Sequence, residues 1–129
     1  MQVGSISGLV FNGQIRQSQA LNKIKSYANK DSVNRFNALT ERAAKVNDGL
    51  FFDFVESKTY KMSTNEVATI YNYNIYKSED KAKDLVYSIE ENVNIYSTPA
   101  TIKHRRETIL DAITDYFETK FYPVNEKNK

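Results

Sequence analysis

The sequence predicts an α+β domain: a helical hairpin, a β-hairpin, then two helices, with a long C-terminal amphipathic helix as the core element. Three observations carry this expectation. Residues 97–122 hold the widest apolar stripe of the chain at helical spacing. Residues 67–76 alternate with period two, and residues 14–47 repeat their apolar positions at three- and four-residue steps.

The final helix is the clearest element. Ser97 or Thr98 can cap it, with Pro99 at the first helical position, where a missing N–H costs nothing. Pro123 pushes Tyr122 out of helical backbone space and marks the other end. At roughly 100° per residue, Ile102, Ile109, Leu110, Ile113, Tyr116, Phe117 and Phe121 gather on one side. Glu107, Asp111, Asp115 and Glu118 fall opposite, where like charges four apart repel by about 0.2–0.5 kcal/mol per pair. A solvated face, screened by salt and nearby lysines, is the expected remedy; an offsetting partner is the other. The basic run Lys103-His104-Arg105-Arg106 circles the helix, so a single phosphate groove could engage only two or three of its members. Arg106 lands inside the apolar stripe and is expected to lie along the core rim, or to pair with a carboxylate from elsewhere. His104, the only histidine, reads as plain surface.

Taken in order, residues 1–13 read as an extended arm whose Leu9-Val10-Phe11 run docks on the body or engages a partner. The arm lacks the basic start and continuous apolar run of a secretory signal. Residues 14–29 form a first helix with Ala20, Leu21, Ile24, Tyr27 and Ala28 on one side. Residues 31–47 form a second, with Phe36, Leu39, Ala43 and Val46 inward and Gly49 as a left-handed stop. Their short link makes an antiparallel helical pair. Residues 50–62 are too aromatic for a loop and read as a strand, Phe52 and Phe54 inward and Asp53 toward solvent. After a turn at 63–66, the second strand sets Val67, Thr69, Tyr71, Tyr73 and Ile75 on one face. Two strands are marginal alone, so a third is expected from the arm or from 93–96. Residues 78–94 read as a third helix, with Ala82, Leu85, Val86, Ile89 and Val93 as its stripe. Residues 14–122 make one domain, and 123–129 a frayed polar tail.

Composition narrows the function classes. A chain of 129 residues suits one domain, and a net charge of +2 is too small for a general polyanion binder. With no cysteine and one histidine, thiolate chemistry, Cys-based zinc sites and most general-base schemes are missing, so neither metal nor cofactor is expected. No apolar run approaches the roughly 20 residues of a membrane span. The Asn, Lys, Ile and Tyr bias suggests an A+T-rich bacterial or phage genome, and a cytoplasmic location is expected.

The leading expectation is a non-enzymatic protein–protein interaction or assembly protein, including self-association. Its contact surface would use Tyr71, Tyr73, Leu9 and Phe11. The alternative is a nucleic-acid-binding accessory protein, with Lys58, Lys61, Lys77, Lys103 and Arg105 on phosphates. Tyr71 and Tyr73 would then stack on bases at about 1–3 kcal/mol each. Against both stands burial of the tyrosine face under the helices. An enzyme of unknown class ranks third.

Overall fold

The computed structural model describes residues 14–46, 48–63, 66–79 and 82–124. The expected arm, with Leu9 and Phe11, lies outside the described residues, as does most of the expected tail. The elements run β1 (Gln14–Ile15), α1 (Gln19–Tyr27), α2 (Lys30–Ala44), β2 (Leu50–Met62), β3 (Val67–Glu79), β4 (Ala82–Val93) and α3 (Pro99–Lys120). The four strands form one sheet in chain order, β1 parallel to β2 and the others antiparallel. The α1–α2 segment is therefore the crossover that a parallel β1–β2 pair requires.

This architecture corrects the expected order in three places. Residues 14 and 15 begin as a strand, pairing with Phe51 and Phe52, before Ser18 caps α1. The two helices pack chiefly on α3 and not along one another, so they are not a self-contained hairpin. Above all, the expected third helix is strand β4, so three long strands precede one final helix. Two local features hid that strand. Register shifts between Ile75 and Tyr76 of β3, leaving Val86 as an extra residue and breaking the alternation. Glu91, at an inward position beside Ile89 and Val93, then supplied a charge where a strand pattern calls for an apolar residue.

Elsewhere local chemistry acts as read. Thr98 caps α3 in a reciprocal capping box with Thr101, and Pro99 occupies the first turn. Gly49 does adopt a positive φ of 72°, but α2 already ends at Ala44, so this glycine turns the chain into β2 and is not the helix stop, and Val46, expected inward, is exposed. The core joins Leu21 and Ile24 of α1, Phe36, Leu39 and Ala43 of α2, Phe52, Phe54, Tyr73 and Ile75 of the sheet, and Ile109, Leu110, Ile113 and Phe117 of α3. Asp53 is turned off the core face, as alternation demands, and meets Arg16 at 3.6 Å.

The acidic face of α3 is not merely solvated. Arg35 of α2 binds Asp115 and, at 2.7 Å, Glu118, and lies 3.5 Å from Asp111. Arg42 adds a 3.0 Å bond to Glu118, and Ser32 Oγ donates to Asp111 at 2.9 Å. One guanidinium thus offsets the repulsion among three carboxylates, and hydrogen bonds to Asp115 and then Glu118 raise its pKa. Arg35 is partly exposed, so Arg35→Ala is expected to cost only about 1 kcal/mol at low salt. The loss should shrink as added salt screens the exposed carboxylates. Urea unfolding at two ionic strengths tests this; a salt-independent loss would locate the effect in packing instead.

Candidate functional site

Strand register divides the sheet into two faces. Directly paired residues share a face, so Phe52, Phe54, Glu56, Lys58, Tyr60 and Met62 stand with Lys77, Ile75, Tyr73, Tyr71, Thr69 and Val67. Tyr87, Ile89, Glu91 and Val93 of β4 complete this face, the one toward the helices. Burial falls off along it. Phe52, Phe54, Ile75 and Tyr73 are buried, Tyr71 is half-buried, and Lys58, Tyr60, Met62 and Val67 are exposed.

Where cover ends, a polar node closes the core. The Glu91 carboxylate, with 3% of its side chain exposed, accepts two hydrogen bonds from Arg106 Nε at 2.9 and 3.1 Å. Tyr73 Oη donates to Glu91 Oε1 at 3.4 Å, and Arg106 Nη1 donates to Tyr27 Oη at 3.3 Å. Burial opposes the charge on Arg106, but the hydrogen bonds and negative charge of Glu91 outweigh it and raise its pKa. Burial, followed by the Glu91 charge, holds the Tyr73 phenol above its ordinary range. Of the two roles foreseen for Arg106, pairing with a distant carboxylate is the one adopted.

The tyrosine platform is corrected in part. Tyr73 is 2% exposed and hydrogen-bonded inside the node, so its ring meets neither base nor partner. Tyr71 sits at the boundary, ringed by Lys23 at 5.3 Å, Arg106 at 5.5 Å and Lys58 at 5.7 Å from its centroid. These cations occupy its π-system from within the chain. Lys23 is further tied to Glu56 at 2.8 Å.

The basic residues proposed for nucleic acid do not converge. Lys58 and Lys61 lie near the hairpin tip on opposite faces, and Lys77 pairs with Phe52 at the far end of β3. Six residues separate Lys77 from Tyr71 along the strand, about 20 Å. Arg105 is engaged by the Asn92 carbonyl at 3.2 Å and Ser97 Oγ at 3.4 Å, while Lys103 is exposed.

The structure adds residues that the sequence reading missed. Tyr60 (64% exposed), Met62 (76%) and Val67 occupy the end of the hairpin, and Ile95 and Tyr96 (78%) the β4–α3 loop. Pairing of Met62 with Val67 and of Thr69 with both Tyr60 and Val93 brings these segments to one end of the molecule. Strand length was the available signal. Thirteen residues span about 43 Å, more than the helices laid over them can cover.

Beside the loop, Asn94, Tyr96, Ser97, Ala100, Thr101, His104 and Arg105 line an open cleft of about 560 Å³. Among the described residues, no group of His, Asp and Glu side chains is placed to hold a metal ion. No described helix is long and apolar enough to cross a membrane. Comparison with protein-family models, with curated proteins and with solved structures returned no match.

Proposed function

We propose that this protein is a protein–protein interaction module whose contact surface is the projecting end of the β2–β3 hairpin together with the β4–α3 loop. One observation carries the reading. Five of the nine exposed large apolar side chains among the described residues, Tyr60, Met62, Val67, Ile95 and Tyr96, gather at one end, while the helices turn their apolar stripes to the core. Apolar patches of this kind on a small domain mark binding surfaces, with tyrosine and methionine among the residues enriched there. The Glu91–Arg106 node gives the patch a fixed base.

The test is a photo-cross-linking side chain at Met62, compared with one at exposed Thr108 on α3, in cells of the source organism. Discrete adducts are expected from position 62 and not from position 108. Equal, diffuse labelling at both positions would end this reading.

Nucleic acid is the second reading, favoured by Lys58 and Lys61 beside exposed Tyr60. Fluorescence anisotropy of labelled oligonucleotides at two salt concentrations separates the two. Micromolar binding that weakens steeply with salt would replace the protein partner by a phosphate backbone.

A further inference from the structure

The outer strand of the sheet, β4, carries a surface separate from the hairpin end. Among the described residues it pairs only with β3, so the other backbone edge of its 12 residues is open. Open edges are commonly guarded by proline, lysine or a covering segment; β4 has no proline and a single lysine. On the helix side of this edge, α3 does not seal the sheet. Half-buried Tyr87 and Ile89 of β4 and Ala112 of α3 line a cleft of about 320 Å³. Next to it Tyr87 stacks on Tyr116 of α3, ring centroids 4.4 Å apart.

Register and charge select the occupant. A second copy laid antiparallel along β4 must keep helix-side residues opposite helix-side residues, because directly paired residues share a face. Tyr87, Ile89 and Glu91 point to that side and, past the extra residue Val86, so does Asp84. Lys83 and Leu85 stand on the other side with Ser88 and Glu90. Set Tyr87 opposite its own copy, with Val86 left as the bulge. Leu85 then meets Ser88, Asp84 meets Ile89 and Lys83 meets Glu90 of the second copy. Twofold symmetry forms each of these pairs twice. A slide of one residue exchanges the faces. A slide of two sets Asp84 against Glu91 in one direction and Lys83 against Ser88 in the other. Lys83 and Glu90 are exposed and, among the described residues, form no ion pair. Lys83 Nζ lies 5.1 Å from the ring centroid of Tyr76, on the face away from the helices. The strand that presents a carboxylate and an ammonium at matching positions is the chain's own.

We infer that β4 pairs with β4 of a second copy around a twofold axis at Tyr87, joining the two sheets into one. Both helical layers then lie on one side, and the clefts beside α3 meet across the axis. Tyr87 and Tyr116 of each copy close the apolar interior there, and the Lys83–Glu90 pairs close the opposite face. The hairpin reading above does not depend on this dimer.

Sedimentation of the full chain over a range of concentrations reads the association. Glu90→Lys, an exposed substitution, is expected to weaken dimerisation by about tenfold or more with circular dichroism unchanged, because like charges then face each other twice. Lys83→Glu/Glu90→Lys restores the pairs in swapped order and should recover affinity to within about threefold of the parent. Register is read by disulfides, since the chain has no cysteine of its own. An equimolar mixture of Leu85→Cys and Ser88→Cys chains should cross-link under mild oxidation faster than either chain alone, because directly paired residues lie within disulfide reach. A chain that stays monomeric at millimolar concentration overturns the inference. So does a dimer that Glu90→Lys leaves intact, a charge swap that restores nothing, or either cysteine chain cross-linking alone as fast as the mixture. Dimerisation seen only after removal of residues 1–13 overturns it too, because the chain's own segment then covers the edge. Any adduct between copies carries twice the mass of the chain, which keeps this test apart from partner adducts at position 62.

Discussion

Replacing Phe117 by alanine is expected to cost about 3–5 kcal/mol, the largest loss from any single truncation in this core. Phe117 is fully buried and lies at the crossing of α3 with the sheet. Its ring meets Phe52 edge-on at 4.8 Å and 89°, and lies 5.6 Å from Tyr116, 6.3 Å from Phe54 and 6.3 Å from Tyr122. Edge-to-face pairs add about 0.5–1.5 kcal/mol to the burial of area alone. The residues around the ring come from β2, from α3 itself and from the segment after it, so one relaxation cannot close the cavity. Domains of this size are stable by about 5–15 kcal/mol, so the variant should be marginal at 25 °C. Urea unfolding checks this, with Phe117→Leu as a milder control that keeps most of the volume. A loss below about 1.5 kcal/mol would mean that the site collapses freely and that the sheet and α3 do not share one packed centre.

The place of Phe117 on the apolar stripe of α3 was legible in the sequence, as was the strand it packs against; the third long strand of the sheet was not. α3 has local signals that agree: a cap, an N-terminal proline, helical spacing and a terminating proline. Phe52 and Phe54 likewise alternate with Asp53 as strand residues should. β4 failed because its identity depends on a partner distant in sequence. Glu91 is tolerable at an inward position only because Arg106, on a helix not yet formed in any local reading, supplies the opposite charge. The bulge at Val86 then shifts the face of the strand's first half relative to its second. The fate of the tyrosines was undecidable from period alone, since the same alternation places Tyr71 and Tyr73 either under the helices or in water. Their separation, one buried and one at the boundary, follows from how far α1 reaches along the strands. That distance is set by packing. The exposed end at Tyr60 and Met62 was overlooked for the same reason: exposure there reflects the extent of the helical layer, which no residue in the hairpin encodes.

Cutting the Arg106–Glu91 pair should cost far more than cutting the surface network of Arg35, although both are arginine–carboxylate contacts. The difference is solvation. The side chains of Glu91 and Arg106 are 3% and 18% exposed, against 38% for Arg35, and water can re-solvate what Arg35 leaves behind but not Glu91. Arg106→Met is expected to destabilise the fold by about 3–5 kcal/mol, because it strands a buried carboxylate. Adding Glu91→Gln removes that charge while keeping an acceptor for Tyr73 Oη, so the double variant should recover most of the loss, ending within about 1–2 kcal/mol of the parent. Chemical denaturation of the four proteins closes a double-mutant cycle, with an expected coupling of about 2 kcal/mol between the two positions. Additive losses would instead mean that each residue acts through its own packing. Such a result would also remove the fixed base from beneath Tyr71 and Lys58, because Arg106 holds Tyr27, Tyr71 and Glu91 together. The same variants therefore connect stability to the binding surface. If the node positions the uncovered face, Arg106→Met/Glu91→Gln should fold yet give fewer discrete adducts from a cross-linker at Met62 than the parent. Unaltered adducts from the folded double variant would confine the node to holding the core.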